Sequence, residues 1–289
     1  MSTMTTRWVV GCDGSKGAEH ALEWCLANAR GRATAVHVVQ AWHHPTLVGA
    51  GMMVLPEVDV EPETAHPDPD RLAARFGEIG VDLTTQVEYG LTADVLLQAS
   101  ADADLLVLGT RGLGGFARLV VGSVSHQCAT HARTPVAIVP SSAPLRGDIE
   151  RVVVGMDRSA GACAALRWAT EFAPASATIE VVGAWQPSSW GVSLDLYMQA
   201  ADFDAAHASF DAIMDDVEAS RPDRSFERHF VGGHPADALL DTADGADLVV
   251  VGERGQRGLK AALLGSTTTE VLHRAETTIV IVPSPTDES

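Results

Sequence analysis

Apolar residues come in short, nearly unbroken runs. In the first half the strand candidates are 7–12, 33–40, 82–88, 104–109 and 135–139; they are rich in Val, Ile and Leu, and most of them read as continuously apolar. Runs of this kind, bounded by polar turn residues, mark strands buried on both faces of a parallel sheet. Between them the period changes. From Ala18 to Ala29, the residues Ala21, Leu22, Cys25 and Leu26 recur on one face of a helix. Buried strands alternating with helices predict an α/β fold: a doubly wound parallel sheet with right-handed crossovers.

The pattern occurs twice. "WVVGCDGS" at 8–15 returns as "VVVGMDRS" at 152–159, and "VHVVQAW" at 36–42 as "IEVVGAW" at 179–185. "ADLLVLGTRG" at 103–112 returns as "ADLVVVGERG" at 246–255, and "VAIVP" at 136–140 as "IVIVP" at 279–283. The offset is 143 or 144 throughout and the order is kept, so one domain has been duplicated. Domains 1–143 and 144–289 follow, hinged in the Ser/Pro/Gly-containing stretch Ser141 to Asp148. An α/β barrel would need eight units without such a break. The halves differ at one place. Residues 194–219 read as a long amphipathic helix, whereas the matching 51–76 hold Pro56, Pro62, Pro67 and Pro69. Proline breaks helix interiors, so a mostly irregular surface loop is expected there.

Composition narrows the function. A net charge of −18 and a pI near 4.8 oppose a phosphate-tracking surface, so no nucleic-acid partner is expected. A small anion held by backbone N–H groups, an arginine or two and a divalent cation remains compatible. Cys12, Cys25, Cys128 and Cys163 form no CxxC pair and read as reduced packing residues. Met1 to Trp8 has no apolar leader core, and no run approaches the ~18 residues of a membrane span. A cytoplasmic location is expected.

Two glycine patterns carry the candidate chemistry. Gly109-Thr-Arg-Gly112 is followed after nine residues by Gly122-Ser123, and Gly252-Glu-Arg-Gly255 after nine by Gly265-Ser266. Each follows the fourth strand and ends where a helix begins. Glycine allows sharp turns and close backbone approach, and the amides of a helix N-terminus attract phosphate oxygens. Ser123, Ser125, Ser266 and Thr267 add hydroxyls. Glycine also ends strands, and serine caps helices, without any ligand. The context is Asp13 and Asp157, each just after a first strand. If the strand order is 3-2-1-4-5, Asp13 faces Gly109 across the switch point, and Asp157 faces Gly252. A carboxylate there accepts from ribose hydroxyls or holds a metal; equally, it makes an Asx turn.

The Gly-xx-Gly-x9-Gly-Ser run after the fourth strand, with an aspartate after the first, resembles the ATP-binding branch of the universal stress protein family. The resemblance covers essentially the whole chain, twice. It implies two tandem domains, each a five-stranded parallel sheet of order 3-2-1-4-5 flanked by helices. It implies ATP with Mg2+ or Mn2+ at one site per domain. Asp13 and Asp157 would meet the nucleoside and the metal, and Val38 and Val181 would offer backbone groups to adenine. Gly109, Gly112, Gly122 and Ser123, with Val124 and Ser125 beside them, would hold ribose and phosphates. Gly252, Gly255, Gly265, Ser266 and Thr267 would do so in the second half. Arg111 and Arg254 sit inside the loops and are phosphate candidates, although surface arginines are common. The second copy departs from the first: Gly14 becomes Arg158, and Thr110 becomes Glu253, an anion beside an anionic ligand.

Other features have plain readings. His43, His44 and His66 fall in or near the Pro-rich loop, where solvation outweighs metal binding. The tryptophans Trp24 and Trp168, and Trp42 and Trp185, are paired by the repeat and read as packing residues. There is no Walker A run, no HExxH, and no recognisable catalytic triad; no catalytic residue is assigned. The expectation is an ATP-binding stress or regulatory protein acting through conformation or an unidentified protein partner. A slow ATPase or phosphotransferase, and a scaffold whose glycine loops are only structural, stay open. The last strands, Pro135 to Val139 and Thr278 to Val282, are expected to pair the domains edge to edge about a pseudo-twofold axis, and the chain to form a homodimer.

Overall fold

Alternation along a strand sends successive side chains to opposite faces. When both faces are covered by helices, every position must be apolar. Val10 belongs to one buried cluster and Val9 to the other, and both are fully buried. The unbroken runs are therefore strands of a sheet with helices on both sides, as expected.

The computed structural model describes residues 6–30, 32, 34–42, 80–110, 121–186, 196–255 and 263–285. The Pro-rich loop, Arg111, Gly112 and the histidines His43, His44 and His66 lie outside them. The first half contains β1 (Thr6–Gly11), α1 (Lys16–Ala29), β2 (Thr34–Trp42), β3 (Asp82–Tyr89), α2 (Thr92–Ala99), β4 (Leu105–Gly109), α3 (Ser123–His131) and β5 (Val136–Val139). The second contains β6 (Arg151–Gly155), α4 (Ala160–Phe172), β7 (Thr178–Trp185), α5 (Leu196–Ser220), β8 (Ser225–Gly232), α6 (Pro235–Thr242), β9 (Leu248–Gly252), α7 (Ser266–Arg274) and β10 (Thr278–Val282). The helix expected over 194–219 is α5, two residues late at its start.

The strands form one ten-stranded sheet in the order β3-β2-β1-β4-β5-β10-β9-β6-β7-β8. Each half has the predicted 3-2-1-4-5 order. Within a half all pairs are parallel; only β5 and β10 pair antiparallel, with Ile138 opposite Ile279 and Val136 opposite Ile281. The palindromic order is the expected pseudo-twofold, centred on Ala137 opposite Val280. Unpaired edges of this apolarity would template aggregation; here each covers the other.

Both buried clusters run through the two halves without interruption. Polar contacts reinforce the junction. The Arg32 guanidinium donates to the Phe172 carbonyl at 2.9 Å and lies 4.6 Å from the centre of its ring. Burial there pushes the Arg32 pKa down. Trp168 also stacks on Phe172, with ring centres 4.4 Å apart, and Ser142 donates to the Glu276 carbonyl at 3.0 Å. All four cysteines are free. Burial raises the Cys128 thiol to about 12 and pushes Cys25 up further still, which fits their reading as packing residues.

A shared core predicts shared stability. Ile138 is fully buried at the β5–β10 seam, so Ile138→Ala is expected to destabilise by about 2–5 kcal/mol. In calorimetry the whole chain should unfold in one transition that moves down as a unit. Two separate transitions, with only one displaced, would show that the halves fold independently.

Candidate functional site

In an open α/β sheet the crevice lies where neighbouring strands send their connections to opposite faces. Here that point falls between β1 and β4, and again between β6 and β9. The second crevice is the one lined on several sides by described residues. It is a cleft of about 750 Å³ at the C-terminal ends of β6 and β9, well inside the range of small-molecule sites.

One wall is polar and made by two loops. Asp157 follows β6; its Oδ1 accepts from the Ser159 N–H at 3.0 Å, and the Ser159 hydroxyl in turn caps α4 by accepting from Ala162 N–H at 3.1 Å. Asp13 and Ser15 repeat the arrangement at α1, with distances of 3.0 and 3.2 Å. Both aspartates thus make the Asx turn. The other Asp157 oxygen, Oδ2, lies directly against the backbone of Gly255: a Cβ on that glycine would collide with it. Gly252, Arg254, Gly255, Gly265, Ser266 and Thr267 all line the cleft. Gly265 is the N-cap of α7 and supplies no side-chain cap, so the first amides of α7 open onto the cleft.

The glycines divide by physical cause. A Cβ on Gly252 would sit 2.5 Å from the carbonyl carbon of Gly161, and one on Gly109 would sit 2.7 Å from the carbonyl oxygen of Gly17. These two residues let the first turn of α4 or α1 press onto β9 or β4, a packing requirement with no ligand in it. A Cβ on Gly265 would meet nothing nearer than 3.4 Å; its backbone angles are ordinary, φ −60° and ψ 153°. The fold leaves room there for a side chain that the sequence does not supply.

Several expected residues take other places. Val38 and Val181 are fully buried, and each pairs with strands on both sides. The next residue, Val182, lines the cleft instead of Val181. Ser125 spends its hydroxyl on the Gly109 carbonyl at 2.7 Å, as its counterpart Thr268 does on Gly252 at 2.8 Å. Glu253 does not stand beside the cleft as an anion. Its carboxylate is 2.5 Å from Nη2 of Arg254, it is 7% exposed, and it is absent from the cleft lining. In the first half Gly122 donates to the Thr110 carbonyl at 2.7 Å and caps α3, with Ser123 and Val124 in the first turn. That places Asp13, Gly109 and Gly122 around the matching crevice.

The opposite wall is apolar, and sequence reasoning missed it. Trp185 on β7, Phe210 on α5 and Phe230 on β8 face the cleft with Met156 and Val182. Trp185 had only a packing reading; Phe210 depends on α5 crossing over β7 and β8. Arg228 fastens that crossing, reaching Asp215 at 2.8 Å and Glu218 at 2.7 Å. The amphipathic pattern of 194–219 signalled the helix but not what it covers. Elsewhere, Glu180, Glu227 and His229 bring ligand atoms within 4.8 Å of one another. Arg151 already holds Glu180 at 2.5 Å, so this cluster is a charge layer on β7 and β8. A hollow of about 540 Å³ between the halves, lined by Trp8, Arg32 and Trp168, has no glycine loop.

Comparison with known proteins agrees with this geometry. The model of the Universal stress protein family matches residues 4–140 and again 148–283. A universal stress protein of Mycobacterium tuberculosis (strain H37Rv) is 29% identical over 299 residues, covering 94% of this chain and 95% of its own. One from Mycolicibacterium smegmatis is 27% identical, covering 95% and 96%. The crystal structure of a universal stress protein from Archaeoglobus fulgidus superimposes with a TM-score of 0.69 over 98% of both chains, at 19% identity; that likeness is one of fold.

The division of the glycines can be measured without any ligand. Gly252→Ala forces two backbones apart and should cost about 1–3 kcal/mol. Gly265→Ser places a favoured capping residue at the N-cap and should leave stability equal or higher. Urea denaturation of both variants checks the pair; equal destabilisation would mean that Gly265 too is held by packing.

Proposed function

The chain belongs to the Universal stress protein family, and on that premise we propose that it binds ATP with Mg2+ or Mn2+, one nucleotide per domain, and works through conformation or a protein partner in a stress response. The two-walled cleft of the second half supports this reading most. Its apolar side, Trp185, Phe210 and Phe230, suits a planar base. Its other side, the amides and hydroxyls of Ser266 and Thr267 at the start of α7, suits phosphates. A divalent cation fits beside Asp157, whose carboxylate lies against the bare backbone of Gly255; it would neutralise phosphates that otherwise face a protein of net charge −18. Asp13 and the Gly109–Gly122 loop would serve the first site.

Binding, not turnover, is the favoured output. Phosphoryl transfer to water needs a group that orients the attacking molecule in line. Asp157 is the one carboxylate among the described residues of the cleft, and here it faces ribose and metal. Turnover should fall far below the ~10 s⁻¹ median of dedicated enzymes.

The test is a melting curve and a phosphate-release assay on one sample. ATP–Mg2+ should raise the melting temperature, since a ligand at 100 times its Kd stabilises by about 2.7 kcal/mol. Gly265→Ser should keep the unliganded melting point and lose the second site's share of that rise. No rise in the parent chain would remove the nucleotide reading. Rapid phosphate release abolished by Asp157→Asn would make this an enzyme.

A further inference from the structure

The halves part at the residue after the loop aspartate. Gly14 takes a φ of 77°, in the left-handed region where glycine alone is unstrained. Its counterpart Arg158 takes 68°, and among the described residues it is the non-glycine with positive φ. Strain of this kind persists only where surroundings hold it, and it gathers at ligand sites. Its side chain reaches α5: Nη1 donates to the Ser209 hydroxyl at 2.8 Å, one residue before Phe210 of the apolar wall.

Charge makes the residue unusual. Two other basic groups line the cleft among the described residues. Arg254 is paired with the Glu253 carboxylate at 2.5 Å, and His234 Nδ1 lies 3.6 Å from Glu270. Arg158 also lines the cleft, yet the partner that holds it is a neutral hydroxyl. A hydrogen bond from guanidinium to phosphate joins two opposite charges, whereas one to a serine hydroxyl carries charge on the donor alone. Such an oxygen within reach would outcompete Ser209.

We propose that Arg158 makes the second cleft select nucleotides by phosphate charge: on binding, its guanidinium leaves the Ser209 hydroxyl for a phosphate oxygen. The inference rests on the nucleotide reading above and goes beyond it. The first cleft, with Gly14 at this position, has no such group there.

The experiment is calorimetric titration of the full chain, its first site disabled by Asp13→Ala, with ATP–Mg2+ and with adenosine. Arg158→Gly, which restores the residue of the first half, should weaken ATP about ten- to a hundredfold and leave adenosine within about twofold. Arg158→Lys should recover part of the ATP affinity, and Ser209→Ala should leave it no weaker. Equal effects of Arg158→Gly on ATP and adenosine, or none on either, would overturn the proposal. So would a lower melting point of that variant with both ligands weakened together, which would assign Arg158 to the scaffold. If the parent chain binds neither ligand, the nucleotide reading has failed and this one falls with it.

Discussion

The backbone contact between a helix start and a strand end, made once in each half, holds the site together. Gly17 of α1 lies against Gly109 of β4, and Gly161 of α4 against Gly252 of β9, too close for any Cβ on the strand residue. Because α4 touches β9 there, the Asp157 turn that launches α4 comes against the glycine loop that leaves β9. The Ser159 hydroxyl marks the seam by reaching the Arg254 carbonyl at 3.2 Å. Any larger residue at Gly252 would push the two loops apart and open the polar wall of the cleft. The candidate site is thus a consequence of packing: two loops brought together by the closest approach the backbone allows, with Gly255 and Gly265 left bare above them.

The fold was legible for a physical reason. A strand covered on both faces must be apolar at every position, so its run is unbroken and its ends fall within a residue or two of the observed ones. The duplication doubled the signal, since Val136–Val139 and Thr278–Val282 carry the same seam. The polar loops were legible as well, because glycine and aspartate have few alternatives in a tight turn. What could not be read was direction and partnership. Ser125 looked like a phosphate donor and instead bonds Gly109. Glu253 looked like an obstacle to an anion and is instead neutralised by the next residue. Trp185 repeats Trp42, yet Trp42 contacts Tyr89 whereas Trp185 meets Phe203 of α5 and the cleft. A repeated residue keeps its place in the sheet while its neighbours are set by whatever element crosses it.

The β5–β10 seam sets how the two sites relate. Each half runs its strands parallel, and the direction reverses at the seam. The first crevice lies between β1 and β4 and the second between β6 and β9, so the shortest route through the sheet crosses β4, β5, β10 and β9. Every residue of β4, β5, β9 and β10 is buried. Close-packed interiors resist small continuous deformation. The glycine loops leave β4 and β9, the sheet neighbours of the seam strands β5 and β10. The continuous clusters on both faces of the sheet add to that stiffness.

Duplication supplies two copies of one scaffold, and the differences between them show where function is free to change. Strands, seam and the helix-start glycines are kept, because altering them breaks packing in either half. Changes in the second half include Arg158 in place of Gly14 at the cleft, Glu253 in place of Thr110 behind it, and α5 across the aromatic wall. Arg158 and α5 are also joined, through Ser209. An arginine in a left-handed conformation is disfavoured by itself, and a helix lid is dispensable by itself. Together they form one device, in which the lid supplies the hydroxyl that steadies the strained cation and the cation ties the lid to the loop that holds Asp157. A ligand that draws the guanidinium inward also breaks its bond to Ser209.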